Sequence, residues 1–245
     1  MGVLGSWSGR VQLRPGRLTY VGELGSAHAH AHAAVQLLLV SRGAVVLTDE
    51  RGARRWIRAA LIPAGVTHAM HAVNASGACV YLDPAGKQAR ILLARVPGGR
   101  RDVEGWAADE ILPVGAMNLE RVEAVIASLT DAAVPVADPH PALLRATELI
   151  ETLSAGPIRL TDVSLMVGMS PGRLRHLFSD HLGLPFSAYV RWARLRKAMQ
   201  TVKDGSTLTR AAHAAGFADS AHLTRVSHAM FGLAPSHLAK ELTWV

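Results

Sequence analysis

From Gly22 to about Leu82 the apolar residues come in short runs, such as Val35-Gln36-Leu37-Leu38-Leu39-Val40 and Ala44-Val45-Val46-Leu47-Thr48. Arg42-Gly43, Asp49-Glu50-Arg51-Gly52 and Pro63-Ala64-Gly65 punctuate them, so the pattern predicts short strands joined by turns in a small antiparallel barrel or sandwich. After Asp83 the pattern is less regular. One helix is expected from about Asn118 to Asp131, because Leu119, Val122, Val125, Ile126 and Leu129 recur at helical spacing. It serves either as a dimer contact or as packing against the barrel. A Pro-rich stretch from Val134 to Pro141 then reads as a hinge, beyond which Asp138 can cap a helix through Ile150 and capped helices follow to Glu241. The expected architecture is α+β with two domains, residues 1–137 and 138–245.

The helical half repeats itself. Leu160 to Val167 forms a short helix, Gly168-Met169 turns, and Ser170-Pro171 caps and opens a second helix through Phe178. Ala211 to Ala215, then Gly216-Phe217-Ala218, then Asp219 before a helix through Met230 repeat the design. A glycine in each turn suits the positive φ and close helix approach of a helix-turn-helix. Pro185 to about Val202, with Tyr189, Trp192, Leu195 and Met199, reads as a longer connecting helix. A rigid connector suits two recognition helices spaced by roughly one turn of DNA, ~34 Å.

These residues resemble the AraC/XylS family of transcription regulators. The likeness runs through Val167-Gly168-Met169-Ser170-Pro171, Leu174-Arg175-His176-Leu177-Phe178, Gly183, Tyr189, Arg191 and Arg194-Leu195-Arg196. It continues through Ala215-Gly216-Phe217-Ala218-Asp219 and Phe231-Gly232-Leu233-Ala234-Pro235. Two places depart from the family: Ser227 replaces a core phenylalanine, and Leu238-Ala239 replaces a closing Tyr-Arg.

The resemblance implies a sequence-specific regulator of double-stranded DNA entering the major groove. It leaves room for contact with RNA polymerase and for a homodimer. On the first recognition helix, periodicity buries Leu174, Leu177 and Phe178 and turns Gly172, Arg173, Arg175 and His176 outward. The family's base-reading positions fall on Gly172, Arg175 and His176, and in the second helix on Ser220, Ala221, His222 and Arg225. Arg175 can read guanine through O6 and N7, whereas Gly172 only permits close backbone approach.

The strand-rich half carries His28, His30, His32, His68 and His71. In His30-Ala31-His32 two imidazoles project to one face of a strand, and Gln36 shares that face if the strand continues. This resembles the first cupin motif, with Gln36 in the usual acid's place, and Pro63-Ala64-Gly65-Val66-Thr67-His68 resembles the second. The second motif's earlier glycine is absent and its asparagine is displaced to Asn74. The resemblance implies that His30, His32, His68 and Gln36 hold a divalent ion such as Ni²⁺, Zn²⁺, Co²⁺ or Mn²⁺ with positions open to water or ligand. The alternative is a pocket lined by unligated histidines that senses a small organic molecule. His28 and His71 are off motif and read as solvent-facing.

Composition sharpens this picture only a little. The formal charge of +7 over 245 residues favours an anionic partner, yet the basic excess is split almost evenly between the halves. The single cysteine, Cys79, excludes an internal disulfide framework and thiolate zinc modules, and it lies in a run read as a buried strand. With no signal-like start and no apolar run of ~18 residues, a cytoplasmic protein without membrane attachment is expected. A metal-dependent cupin enzyme fused to a DNA-binding module is the rival function. Gln36 in place of the acid and the helix-turn-helix repeat argue against it, so no catalytic residues are expected.

Overall fold

Two long strands organise the first half of the structure, a computed structural model that describes residues 7–96, 101–108, 111, 115–131, 136–232 and 242–245. These are β4 (Val35–Asp49) and β7 (His68–Leu82), which pair antiparallel from Val35 opposite Leu82 to Asp49 opposite His68. The remaining strands are β1 (Ser8–Arg14), β2 (Arg17–Leu24), β3 (Ala27–His30), β5 (Arg54–Ile57), β6 (Ala59–Ile62) and β8 (Leu242–Trp244). Each long strand serves two further partners. β4 pairs with β6 over Gln36 to Leu39 and with β5 over Val45 to Thr48, while β7 pairs with β3 and then β2.

The break expected at Arg42-Gly43 is instead a bulge inside β4. The register shifts on both sides of Arg42, and Gly43 adopts φ 74° against the Asn74 carbonyl, where a Cβ would come within 2.2 Å. Glycine therefore bends a continuous strand here rather than ending it. The two halves of β4 differ accordingly. Val35 to Val40 are buried on both faces, whereas from Ala44 onward buried and half-exposed residues alternate, as in a strand with one wet face.

The strands form one open sheet in the order β5-β4-β7-β2-β1-β8, with β3 on β7 and β6 on β4, and not the closed barrel expected. Its ends are occupied otherwise. β8 lies parallel to β1 from Gly9 opposite Leu242 to Val11 opposite Trp244, and β5 contacts the short helix α2 (Val103–Trp106) through the Arg55–Glu104 ion pair. The sequence pattern does not predict the strand at 242–244. Helix α1 (Lys87–Leu93) follows β7, and α3 (Leu119–Asp131) matches the expected helix. Asn118 caps α3 by accepting from the Arg121 amide, Val122 and Ile126 are buried, and Glu123 pairs with Arg14 and the buried Arg17.

The second half is helical: α4 (Pro141–Leu153), α5 (Leu160–Met166), α6 (Pro171–Leu182), α7 (Phe186–Lys203), α8 (Leu208–Ala214) and α9 (Ser220–Phe231). His140, not Asp138, caps α4, because Pro141 occupies the first turn; the His140 ring accepts from the Ala142 amide at 3.1 Å. α6 runs past Phe178 to Leu182 and stops where Gly183 takes φ 68°. Phe186 and Tyr189 each meet Phe178 edge to face within the core, and Trp192 of α7 is fully buried.

The chain divides into two compact units, one comprising Met1–Val136 with Ala229–Val245 and the other Ala137–His228. The C-terminal residues thus group with the sheet and not, as the sequence suggests, with the helices. The start of the Pro-rich hinge and Leu238-Ala239 lie outside the described residues.

Candidate functional site

His30 ends β3 directly opposite His68, the first residue of β7. His32 is expected on the same strand face as His30, but it lies past the end of β3. It is brought back by the Pro63-Ala64-Gly65 turn: Gly65, at φ 77°, donates its amide to the His32 carbonyl at 2.9 Å. The rings of His30 and His68 are 4.3 Å apart between centroids, those of His32 and His68 4.9 Å, and those of His30 and His32 5.7 Å. One nitrogen from each lies within 4.8 Å of the others, and all three residues are buried.

Each ring is oriented by a backbone carbonyl. Nδ1 of His30 lies 2.7 Å from the His28 oxygen, Nδ1 of His32 2.8 Å from the Ala34 oxygen, and Nδ1 of His68 3.0 Å from the Val66 oxygen. A carbonyl only accepts, so in the neutral ring each Nδ1 carries the proton and Nε2 the lone pair. That arrangement is the one metal-ligating histidines use. Burial pushes the His32 pKa down, opposed by its hydrogen bonds to Gln36 and Ala34. Burial and then the neighbouring His32 and His30 push His68 well below the usual imidazole range. Both shifts favour the neutral ring, the form in which an imidazole ligates.

Gln36, buried at the start of β4, places its side-chain oxygen Oε1 2.7 Å from His32 Nε2. Tyr81 sets its ring edge-on to His32 at 5.2 Å, and Trp106 does the same to His68 at 6.1 Å. Cys79 stays a thiol, its pKa pushed up to about 12 by burial. Sequence reasoning missed Tyr81 and Trp106. Tyr81 had a signal in its alternation with Cys79 along a buried strand, but Trp106 arrives on a short helix with no motif of its own. His28 and His71 are exposed, His71 lying 3.3 Å from the Ser26 hydroxyl.

In the helical unit, Ser170 caps α6 by accepting from the Arg173 amide, and Gly172, Arg173, Arg175 and His176 are exposed while Leu174, Leu177 and Phe178 are buried. Asp219 caps α9 by accepting from the His222 amide at 2.6 Å. Ala221 and Arg225 are exposed. Ser220 and His222 are half-buried, His222 packing edge-on against Phe217. The two turns differ in room: a Cβ on Gly168 would meet nothing within 4 Å, whereas one on Gly216 would come within 2.6 Å of the Ser154 carbonyl. Ser227 is buried in α9.

Residues 163–241 match the family described as a helix-turn-helix domain. The HTH-type transcriptional regulator GlxA of Rhizobium meliloti (strain 1021) is 32% identical over 102 residues, covering 41% of this chain and 32% of that protein. YpdC of Escherichia coli (strain K12), described as an uncharacterized HTH-type transcriptional regulator, is 34% identical over 82 residues, 33% of this chain and 29% of that protein. The chain thus spans about a third of the length of these curated relatives. Crystal structures of ToxT from Vibrio cholerae share the two-part fold, an apo form with a TM-score of 0.63 at 13% identity over 95% of this chain and 100% of that one. Residues 163–241 are thus similar to a helix-turn-helix domain of transcription regulators, and the likeness to ToxT shows the fold, a sheet-rich part followed in the chain by helices.

Proposed function

We propose that the chain is a cytoplasmic, non-enzymatic transcription regulator that reads double-stranded DNA through α6 and α9 and senses a divalent transition-metal ion in its first unit. His30, His32 and His68 hold the ion through Nε2, and Gln36 assists by turning its amide oxygen toward it. The three Nδ1-to-carbonyl hydrogen bonds carry this reading, because they leave the Nε2 atoms of three buried, clustered imidazoles to serve as ligands. Imidazole and amide donors suit Ni²⁺, Zn²⁺, Co²⁺ or Mn²⁺, and the sensor is read as a variant of the cupin sites. When bound, the ion supplies positive charge that ties β3, the residues after it and the start of β7 together. Arg175 and Arg225 read bases, with Gly172, Arg173, His176, Ser220, Ala221 and His222 around them. RNA polymerase and a second copy of the chain are further partners of this reading.

A second reading puts a small organic molecule beside the histidines. ToxT has been solved as an unsaturated fatty acid complex, on the same fold. Titration of tag-free protein with the four ions, beside His30→Ala/His32→Ala, separates the two readings. Binding by wild type and loss in the variant, together with altered affinity for promoter DNA on loading, supports the metal sensor. Equally weak binding by both proteins directs the search to organic effectors.

A further inference from the structure

The sheet displays a cationic, aromatic surface that the helix-turn-helix unit does not use. Along β5 the pleat alternates: Arg55 and Ile57 turn inward, while Arg54 and Trp56 are exposed, Trp56 to 66%, and Arg58, at the bend that follows the strand, is exposed too. Trp56 stands opposite Val46 on β4 and Arg54 opposite Thr48. Beyond them, Val46 faces the exposed His71 and Ala44 faces Val73, which is 45% exposed.

The charges here are uncompensated. Arg55 pairs with Glu104, Arg42 with Glu23 and Arg101 with Glu50, but Arg54 and Arg58 have no acidic partner among the described residues. The nearby Asp49 is turned inward, its carboxylate accepting the amides of Arg51, Ala53 and Val103. An exposed indole with one exposed guanidinium on its own strand and another at the following bend offers an apolar face for a deoxyribose and cations for the neighbouring phosphates.

We infer that this exposed stretch, Arg54 and Trp56 of β5 with Arg58 at the bend after it, binds the sugar-phosphate backbone of duplex DNA beyond the segment held by α6 and α9. The inference rests on the DNA-binding reading above. Charge complementarity selects a polyanion, and the smallness of the patch selects one already held by the same molecule. Two exposed guanidinium contacts are weak in isolation, but tethering raises the effective concentration of flanking DNA to the order of millimolar. An independent acidic protein would need roughly 800 Å² of matching surface on each partner.

The test uses the full chain and random-sequence duplexes of about 20 and about 60 base pairs, titrated from about 50 to 200 mM salt. Arg54→Ala/Arg58→Ala is expected to make the slope of log affinity against log salt shallower by about 2 on the long duplex only. Trp56→Ala is expected to weaken long-duplex binding several-fold with the slope unchanged. Arg10→Ala/Lys87→Ala, which removes equal charge elsewhere on the same unit, should change neither duplex. An unchanged long-duplex slope, as an acidic protein partner would give, overturns the inference. So does an equal reduction on both lengths, or an equal effect of the control. Failure of the wild-type chain to bind the short duplex would instead overturn the DNA-binding reading itself.

Discussion

His32 is held at both ends: Nδ1 lies 2.8 Å from the carbonyl of Ala34 and Nε2 lies 2.7 Å from the side-chain oxygen of Gln36. With Nδ1 protonated, Nε2 needs a donor whenever no ion is bound, and the amide nitrogen of Gln36 supplies one after a half-turn about its last bond. A cation reverses that demand and draws the oxygen. Gln36 is therefore suited to both states, and it replaces the negative charge a carboxylate would bring.

Gln36→Glu is expected to tighten divalent-ion binding by about tenfold or more, since a full charge replaces an amide dipole next to the ion. Gln36→Ala should weaken binding several-fold while leaving the three imidazoles in place. Calorimetric titration of both variants checks this, and identical affinities across the three proteins would remove Gln36 from the ligand set.

Stability of the metal-free protein should depend on pH through the buried imidazoles. His32 and His68 have folded-state pKa values below the ~6.5 of the unfolded chain. The folded state consequently binds fewer protons than the unfolded state below ~6.5, so stability falls from there downward until the folded-state values are reached. Above that range both states hold neutral rings and the dependence vanishes. The slope is at most about 1.4 kcal/mol per pH unit for each imidazole. Urea unfolding at several pH values, with chelator present, measures it. His68→Gln should flatten the slope whatever it does to the absolute stability.

The two turn glycines should respond differently to alanine. Gly168→Ala bears only the left-handed backbone cost, roughly 1–2 kcal/mol, whereas Gly216→Ala adds a collision with the Ser154 carbonyl and should cost about 3 kcal/mol or more. Thermal unfolding ranks the pair. Equal losses would mean that the backbone near Ser154 yields easily.

Arg175→Ala should weaken binding to a selected promoter sequence by about 1–3 kcal/mol and relax base preference there. Loss of equal size on selected and random duplexes would make Arg175 a phosphate contact only.

Trp106 provides an optical report on the histidine cluster, because its ring lies against His68. Co²⁺ or Ni²⁺ at the cluster should quench part of the tryptophan emission, and Trp106→Phe should abolish that part. Quenching that survives the substitution would place the ion elsewhere.

The helical unit was almost fully legible in the sequence, because capping and turn chemistry are local: Ser170, Gly168, Asp219 and Gly216 act within a few residues of themselves. The sheet was legible only in part. Its strands read as short pieces because Gly43 signals a turn and a bulge with the same letter, and only its close approach to the Asn74 carbonyl across the strand pair decides between them. Closure was misjudged because it depends on what reaches the sheet edges, and β8 comes from a distant part of the chain. His30, His32 and His68 stand out together in the sequence and are neighbours in space, yet His32 owes its position to a hydrogen bond from Gly65, not to strand alternation. Trp106 was invisible, since its role depends on where a one-turn helix lands.

The pairing of β1 with β8 also has a meaning in time. β1 leaves the ribosome before any other described strand and waits until Leu242 to Trp244 are made, so among the described strands this pairing joins the most distant stretches of sequence. Until then one side of β1 presents unpaired amides and carbonyls, the kind of template on which nascent chains cross-associate. Every residue of α6 and α9, the helices proposed to read DNA, is synthesised within that interval. Translation products that stop short of Leu242 would therefore keep the exposed edge and be the aggregation-prone fraction of the population, even with the histidine cluster already assembled.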